Sequence, residues 1–484
     1  MTTLFPLWLP SGLGFLVLCH LLHKSNLPKK LFLILSISPA LGLGLVSLIA
    51  FWSYVIGREN GKTFTFIFAY LSFFLALAPF LSKMKFQEYQ NRFTCLHFSF
   101  KNLKKARFHL QNIIKTFVTA GSFLWLLFSI YRFLQYYINY ISWNVYGGWD
   151  ARYMWNIKAR FYVRSPGAWI DLFSHPKPLW TLPDYPHLLP ASVAWGWLNS
   201  GSETLIWPSV IGCVFILSIC SLAVWYLSAY QKYWKACLAG AFFITVPAFR
   251  FWSTTQYADI PLSFFITAAG VIFACAYRHK ERALFLLAGI LAGLGAWTKN
   301  EGVLFCFIMF AIGTISLFDN RANERKEKMI FLSAWLPGLL LPLASTFYIK
   351  LFLGGGGIYL NTTRSVLDYL HLLSDFSRTQ FIAAAFFLFF ADQSQWNYLW
   401  LFFFTSIIIF FMMTITKKKV DSRWIILACV ILLELGYFLI FQISPIDLKS
   451  HIKWSMLRLL LHTGALALIF AFEILGTLER KSSN

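Results

Sequence analysis

The sequence predicts an all-α membrane protein with many transmembrane helices, and its composition and apolar runs support this prediction. The chain of 484 residues is 58% hydrophobic and only 13% charged, whereas soluble domains carry about 25% charged residues. Continuous apolar runs long enough to cross a bilayer core of roughly 30 Å recur along the whole chain. Strands of a membrane β-barrel would alternate in hydrophobicity instead.

The predicted spans follow these apolar runs. Shorter apolar stretches at about 186–199 and 379–391 are further spans or half-helices, so we expect a total of about 11 to 15. The predicted spans lie at about 5–23, 31–55, 63–82, 116–138, 204–229, 236–250, 259–277, 283–298, 302–318, 330–353, 396–415, 423–443 and 455–475.

The charge is strongly basic, with 42 Lys and Arg against 20 Asp and Glu and a formal net charge of +22. Basic residues of multi-span proteins collect in cytoplasmic loops, where they meet anionic lipid head groups. We therefore expect membrane lipids as partners and no nucleic acid. The resulting orientation predicts that Asp150, Asp259 and the loops at 354–378 and 444–454 lie on the non-cytoplasmic side.

Asp150 ends the segment Tyr146-Gly-Gly-Trp-Asp150, directly after a predicted span. An acid at the mouth of a span, in a chain with few charges, indicates chemistry at the membrane surface. The segment from 146 to 160 predicts an interfacial helix after a Gly-Gly turn. The alternative is that Asp150 only caps that helix. The aromatic residues expected at the level of the head groups are Trp149, Tyr153, Trp155 and Phe161.

Asp184 lies at the end of the same loop, in Pro183-Asp184-Tyr185-Pro186. The prolines exclude a regular helix, so this segment must fold against protein or water. His175 and His187 flank the acid and are weaker candidates for orienting a substrate. The alternative is that they are ordinary surface histidines.

Asp259 begins the next candidate segment, Thr254-Thr-Gln-Tyr-Ala-Asp259-Ile-Pro-Leu, at the start of a span. Its alternative role is to stabilise a helix N-terminus through the helix dipole. Arg250 precedes the segment and is suited to pair with an acid or to bind phosphate.

Lys299 lies in Ala296-Trp-Thr-Lys299-Asn-Glu301-Gly302, which separates two apolar runs. A lysine at the depth of a lipid phosphate is a suitable point charge to bind it. The alternative is that Lys299 and Glu301 extend to the interface or pair with each other. His451 and Lys453, ahead of Arg458 in the chain, are weaker candidates for lining a lipid cavity.

The order and spacing of these segments resemble the glycosyltransferase C-fold (GT-C) superfamily. The closest likeness is to bacterial relatives of protein O-mannosyltransferases and of the transferase that adds aminoarabinose to lipid A. It covers roughly residues 116–310 and extends more weakly to about 475. The expected organisation is an N-terminal set of helices with a basic cytoplasmic segment (1–115), a catalytic core with the outer loop 139–190 (116–310), and C-terminal helices (311–484).

The resemblance implies a transferase that moves a sugar from a polyprenyl-phosphate donor to a glycan, lipid or protein acceptor outside the cytoplasm of a bacterial cell. By position, Asp150 resembles the general base of the family. Asp184 and Asp259 resemble its further acids, and Lys299 with Arg250 its phosphate-binding cations. The other residues expected to bind substrate are Arg152, Tyr185, Tyr257, His187 and Glu301.

This chemistry suits the residues. An attacking hydroxyl needs a carboxylate to take its proton, and a leaving phosphate needs fixed cations. One base without a carboxylate nucleophile predicts direct displacement and therefore inversion. The sequence establishes no cofactor, and a divalent metal held by Asp150 and Asp184 is an open alternative. The competing functions are a ligase or polymerase of lipid-linked oligosaccharides, and a transporter or flippase.

Overall fold

The computed structural model describes residues 5–83, 110–165, 167, 169–174, 182–316, 324–354, 365–417 and 422–482. Helices joined by turns and short loops make up these ranges, and no strand occurs within them. The predicted all-α fold class is therefore confirmed. The loop histidine His175 and most of the four-glycine segment after Leu353 lie outside the described residues.

The helices follow the predicted apolar runs closely. In chain order they are α1 (Trp8–Leu21), α2 (Lys30–Gly57), α3 (Gly61–Lys83), α4 (Leu110–Trp143), α5 (Asn156–Arg164), α6 (Asp171–Ser174), α7 (Leu188–Ser200), α8 (Ile206–Tyr230), α9 (Tyr233–Thr245), α10 (Pro247–Thr254), α11 (Asp259–His279), α12 (Arg282–Thr298), α13 (Asn300–Ser316), α14 (Glu324–Tyr348), α15 (Val366–Ser374), α16 (Phe376–Ala391), α17 (Gln393–Trp396), α18 (Leu399–Lys417), α19 (Arg423–Ile443) and α20 (Leu448–Ser482). Short 3-10 turns (Phe5–Leu7, Arg58–Asn60) and π turns (Ala151–Trp155, Ile349–Leu353) extend them.

Several helices are suited to cross a membrane. Within the described ranges, seven helical segments are long and apolar enough to do so, and the pair α9 and α10, bent by 58°, adds an eighth if it forms one span. Shorter apolar helices such as α1, α12 and α16 accompany them. The chain is therefore an integral, multi-pass membrane protein.

Helices α11 and α20 form the centre of the bundle, with 94% and 89% of their most apolar windows buried. Asp259, at the start of α11, pairs with Arg458 near the start of α20. Near their other ends, Arg278 of α11 pairs with Glu473 of α20 at 3.1 Å. The two helices therefore run in the same direction and are joined by an ion pair at each end.

The turn between α12 and α13 directs Lys299 into the bundle. Lys299 has an extended backbone (φ −154°, ψ 162°), which interrupts the helix, and its carbonyl accepts a hydrogen bond from the Gly302 amide at 3.0 Å. A Cβ atom on Gly302 would lie 2.0 Å from the Gly295 carbonyl oxygen. The close approach of α12 and α13 therefore requires glycine at position 302.

Replacing Gly302 with alanine should destabilise the protein by about 1–3 kcal/mol, because the added methyl group cannot fit without moving α12 or α13. The measurement is the thermal denaturation of purified protein in detergent. Gly121→Ala is the matched control, since a Cβ atom there meets nothing within 4 Å. Equal melting temperatures for the two variants would contradict the proposed close approach.

Candidate active site

Asp259 lies at the centre of a buried polar cluster. Its side chain is fully buried, and its Oδ1 accepts a hydrogen bond from Lys299 Nζ at 2.9 Å. Its Oδ2 accepts two more from Arg458, from Nε at 3.1 Å and Nη2 at 3.0 Å. A buried carboxylate is tolerated when cations and hydrogen bonds compensate for its lost hydration. Asp259 therefore does more than stabilise the N-terminus of α11.

Arg458 connects this buried acid to Asp150. Its Nη2 lies 2.8 Å from Asp150 Oδ2, so one guanidinium bridges two carboxylates. The Asp150 side chain is 18% exposed, whereas that of Asp259 is inaccessible. Asp150 makes no side-chain capping hydrogen bond to the helix that follows it. The capping alternative for Asp150 is therefore wrong.

Two further residues complete the cluster. Lys299 Nζ also lies 2.9 Å from Glu301 Oε1, so the pairing given above as the alternative for these two residues is present alongside the bond to Asp259. His462 Nε2 lies 3.3 Å from Asp259 Oδ1. On the other side of the His462 ring, Nδ1 lies 2.8 Å from the Tyr437 hydroxyl. The position of the Asp259 carboxylate is thus determined by the turn between α12 and α13 and by two side chains of α20.

Aromatic rings hold Arg458 and Asp150 in place. The Arg458 guanidinium lies 4.8 Å from the centre of the Tyr257 ring and 5.6 Å from that of Trp252. The Tyr257 hydroxyl accepts a hydrogen bond from the Asp150 amide at 3.1 Å. A Cβ atom on Gly148 would lie 2.5 Å from this hydroxyl, which explains the Gly-Gly turn before Asp150.

Asp184 belongs to a second cluster. Its Oδ2 lies 3.4 Å from Lys350 Nζ. The Lys158 side chain is buried and donates a hydrogen bond from Nζ to the Leu182 carbonyl at 2.6 Å. Burial lowers the Lys158 pKa to about 7, a shift that Asp184 opposes and Lys350 reinforces. Asp184 therefore pairs with Lys350, whereas Asp150 pairs with Arg458.

The remaining loop residues divide between the surface and the interior. Trp149 and Tyr153 are about half exposed, as expected for the interface, but Trp155 is fully buried and packs 6.0 Å from the Tyr185 ring. The prediction that Trp155 lies among the head groups is therefore wrong. Tyr185 is only 6% exposed.

His187 is also buried, not a surface residue. Its Nδ1 lies 2.7 Å from the Tyr162 hydroxyl, and its ring stacks on Phe173 at 5.3 Å. Burial, with a smaller contribution from Lys158, lowers the His187 pKa well below its usual value. His187 is therefore held among aromatic rings in the interior, and its Nε2 atom has no hydrogen-bond partner among the described residues.

The two predicted arginines have different surroundings. The Arg250 guanidinium lies 4.3 Å from the centre of the Tyr136 ring, and its buried Nε has no hydrogen-bond partner in the described part of the chain. Arg152 is exposed, and its Nη2 donates a long hydrogen bond of 3.4 Å to Asn144 Oδ1.

The pair Arg458 and His462 is the main part of the site that the sequence analysis did not select. Both residues lie inside the predicted span at 455–475 and, at i and i+4, share one face of α20. A charged residue within a span is costly and therefore usually functional. The cost of a charged residue inside the predicted span was therefore the sequence feature that could have identified Arg458.

A divalent metal on Asp150 and Asp184 does not fit this arrangement. Arg458 pairs with the first acid and Lys350 with the second. Over the described ranges, no group of three His, Cys, Asp or Glu side chains is placed to hold a metal ion. The donor set of oxygen ligands that such a metal prefers is not assembled here.

Residues 195–347 match the model of the dolichyl-phosphate-mannose-protein mannosyltransferase family. The match supports membership of the GT-C superfamily. It confirms the resemblance predicted from the sequence and supports a membrane glycosyltransferase of the GT-C type. Asp259 and Lys299 lie within the matched segment, whereas Asp150 precedes it and Arg458 follows it. No curated protein and no solved structure gives a significant match.

Replacing Arg458 with glutamine should destabilise the protein by about 3–5 kcal/mol, because it removes a cation from the buried Asp259. Thermal denaturation of the purified protein measures the loss. Lys453→Gln on the exposed face of the same helix is the matched control. The double variant Arg458→Gln/Asp259→Asn should lose less stability than the two single variants lose in sum. Additive losses would contradict the pairing.

The buried Lys158 predicts a specific pH dependence of stability. Between pH 7 and 10.5 this amine is neutral in the folded protein and charged in the unfolded chain, so the unfolded state binds more protons. The contribution of Lys158 to the free energy of unfolding therefore rises with pH across that window, by up to about 1.4 kcal/mol per pH unit. Below pH 7 this contribution does not change with pH. Melting temperatures of the wild type and Lys158→Met, compared from pH 6 to 9, measure the effect. An equal slope of melting temperature against pH in the two proteins would contradict the effect assigned to Lys158.

Proposed function

We propose that the protein transfers a sugar from a polyprenyl-phosphate donor to an acceptor hydroxyl on the non-cytoplasmic side of the membrane. The family match supports a glycosyltransferase with a lipid-linked donor. The observation that carries the proposal is the pair of acids bridged by Arg458, one partly exposed and one fully buried. The distribution of basic loops supports the assigned side.

Asp150 is the proposed general base. Arg458 contacts its Oδ2, while its Oδ1 has no hydrogen-bond partner among the described residues. An acceptor hydroxyl placed against Oδ1 would give up its proton as its oxygen attacks the anomeric carbon. The exposed fraction of Asp150 gives an acceptor access to this oxygen.

Asp259 is proposed as a positioning residue. Its oxygens are occupied by Lys299, Arg458 and His462, and its side chain is inaccessible, so it is not available as a nucleophile. Glu301 is 15% exposed but is paired with Lys299, so Asp150 is the acid proposed to act on the substrate, and one acting acid favours direct displacement over a covalent glycosyl-enzyme. We therefore propose inversion at the anomeric carbon.

The proposed phosphate-binding cation is Arg250 in preference to Lys299. Lys299 is 4% exposed, and its charge is already balanced by Asp259 and Glu301. Arg250 is partly exposed and has a nitrogen without a partner. It lies on α10, the helix that also carries Trp252 against Arg458. A guanidinium there is suited to meet the charge that develops on a leaving lipid phosphate.

Asp150→Asn should reduce transfer by about 10²–10⁴-fold while the protein remains folded, because the amide cannot accept the hydroxyl proton. The measurement is transfer of radiolabelled sugar from a panel of polyprenyl-phosphate donors to a native envelope extract. Asp447→Asn makes the same change at an exposed acid near the start of α20 and should retain the parental rate.

Transfer at the parental rate by correctly folded Asp150→Asn protein would disprove the assigned base. Melting temperatures of both variants check folding. The anomeric configuration of the product, determined by NMR, tests inversion separately from the identity of the base.

A further inference from the structure

The His462 ring lies between Asp259 and Tyr437. Its Nε2 atom lies 3.3 Å from Asp259 Oδ1, and its Nδ1 atom lies 2.8 Å from the Tyr437 hydroxyl. All three side chains are fully buried. Tyr437 belongs to α19, which carries none of the residues proposed to contact substrate. The ring therefore connects α19 to the acid that holds Arg458.

The Tyr437 hydroxyl determines which nitrogen of the His462 ring carries the hydrogen. A buried hydroxyl group requires an acceptor for its proton, and within the described residues the partner of this hydroxyl is His462 Nδ1. Nδ1 must therefore be unprotonated, and the hydrogen of the ring lies on Nε2, which donates it to the Asp259 carboxylate. A hydrogen on Nδ1 would leave the hydroxyl proton without that acceptor.

The hydrogen bond from His462 fixes the rotation of the Asp259 carboxylate. The torsion that turns a carboxylate about its bond to Cβ has broad minima, so contacts must determine its orientation. His462 and Lys299 both meet Oδ1, at 3.3 and 2.9 Å. Oδ2 is thereby left facing Arg458, which donates to it from Nε and Nη2. Arg458 and His462 are one turn apart on α20, so one face of this helix holds both oxygens.

Arg458 transmits this orientation to Asp150. Its Nη2 atom lies 3.0 Å from Asp259 Oδ2 and 2.8 Å from Asp150 Oδ2. A rotated Asp259 carboxylate would release the guanidinium from one side. Asp150 would then lose the fixed partner that orients its other oxygen towards an acceptor.

A second polar contact joins α19 and α20 beside the ring. Thr463, which follows His462 in the chain, donates a hydrogen bond to Glu434 Oε1. Glu434 lies three residues before Tyr437, so the two side chains share one face of α19. The helix that presents the Tyr437 hydroxyl is therefore itself bound to α20 next to the ring.

We infer that His462 and Tyr437 are positioning residues of the transferase. Tyr437 fixes the tautomer of His462, and His462 fixes the rotation of Asp259, so that Arg458 is aligned with the base. This role rests on the proposed function, because it serves to align Asp150 with an acceptor hydroxyl. Both rings are fully buried, so their loss should lower kcat and leave KM nearly unchanged.

The first test identifies the tautomer by solid-state NMR of the full chain, labelled with 13C,15N-histidine, in lipid bilayers. Protonated and unprotonated ring nitrogens differ in 15N shift, and the His462 signals are those that disappear in His462→Gln. We expect a hydrogen on Nε2 and none on Nδ1. In Tyr437→Phe the Nδ1 signal should move downfield, because Nδ1 loses its hydrogen bond. A hydrogen on Nδ1 of the wild-type ring, or an Nδ1 signal that Tyr437→Phe leaves unchanged, would overturn the inference.

The second test compares His462→Leu with His462→Gln, in transfer from the panel of polyprenyl-phosphate donors. Glutamine keeps an N–H donor near the position of Nε2, whereas leucine removes it. His462→Leu should lower kcat by about tenfold with KM within about twofold, and His462→Gln should recover most of the rate. Tyr437→Phe should lower kcat by about threefold. Melting temperatures check folding, and if His462→Leu does not fold, Tyr437→Phe and the NMR spectra decide.

Tyr230→Phe is the matched control, because it removes a hydrogen bond of 2.8 Å between Tyr230 and His279 near the other end of α11. It should retain the parental rate. Parental kcat in folded His462→Leu or Tyr437→Phe protein would overturn the inference and leave the proposed function standing, as would equal losses in His462→Leu and His462→Gln. If wild-type protein shows the expected tautomer but transfers sugar from no donor, the proposed function fails and the hydrogen-bond assignment stands.

Discussion

The structure depends on the compensation of one buried negative charge. Asp259 lies at the start of α11, the most buried of the candidate spans in the described ranges, and removal of its hydration is tolerable only because Lys299 of the α12–α13 turn and Arg458 of α20 contact it. Each of these contacts joins segments far apart in the chain. The geometry of the outer loop follows from the same requirement, because Arg458 extends from the buried acid to Asp150.

Asp150 and Asp259 are suited to different roles because they differ in accessibility. Full burial and complete pairing suit Asp259 to hold a cation in place, and partial exposure suits Asp150 to contact a substrate. The same guanidinium serves both, so the charge on one carboxylate influences the other. Asp150 directly precedes the helical segment formed by the π turn Ala151–Trp155 and α5, so its position is coupled to that of the helix that carries Lys158.

The sequence was informative where single residues stand out against an apolar background. Asp150, Asp259 and Lys299 interrupt or terminate spans, and all three belong to the same cluster. Arg458 and His462 could not be placed because their partner is about 200 positions away and pairing between spans leaves no local pattern. Trp155 and His187 illustrate the opposite error: polar or amphipathic residues in a loop suggest exposure, but this loop folds inward around Lys158.

The ion pair between Arg278 and Glu473 has a consequence for the opposite end of the bundle. Asp259 and Arg278 are separated by roughly 28 Å along α11, at 1.5 Å per residue. Sliding or rotating α20 against α11 would break this pair and the Asp259–Arg458 pair together. The alignment of Arg458 with the two acids is therefore set partly from the opposite end of the bundle.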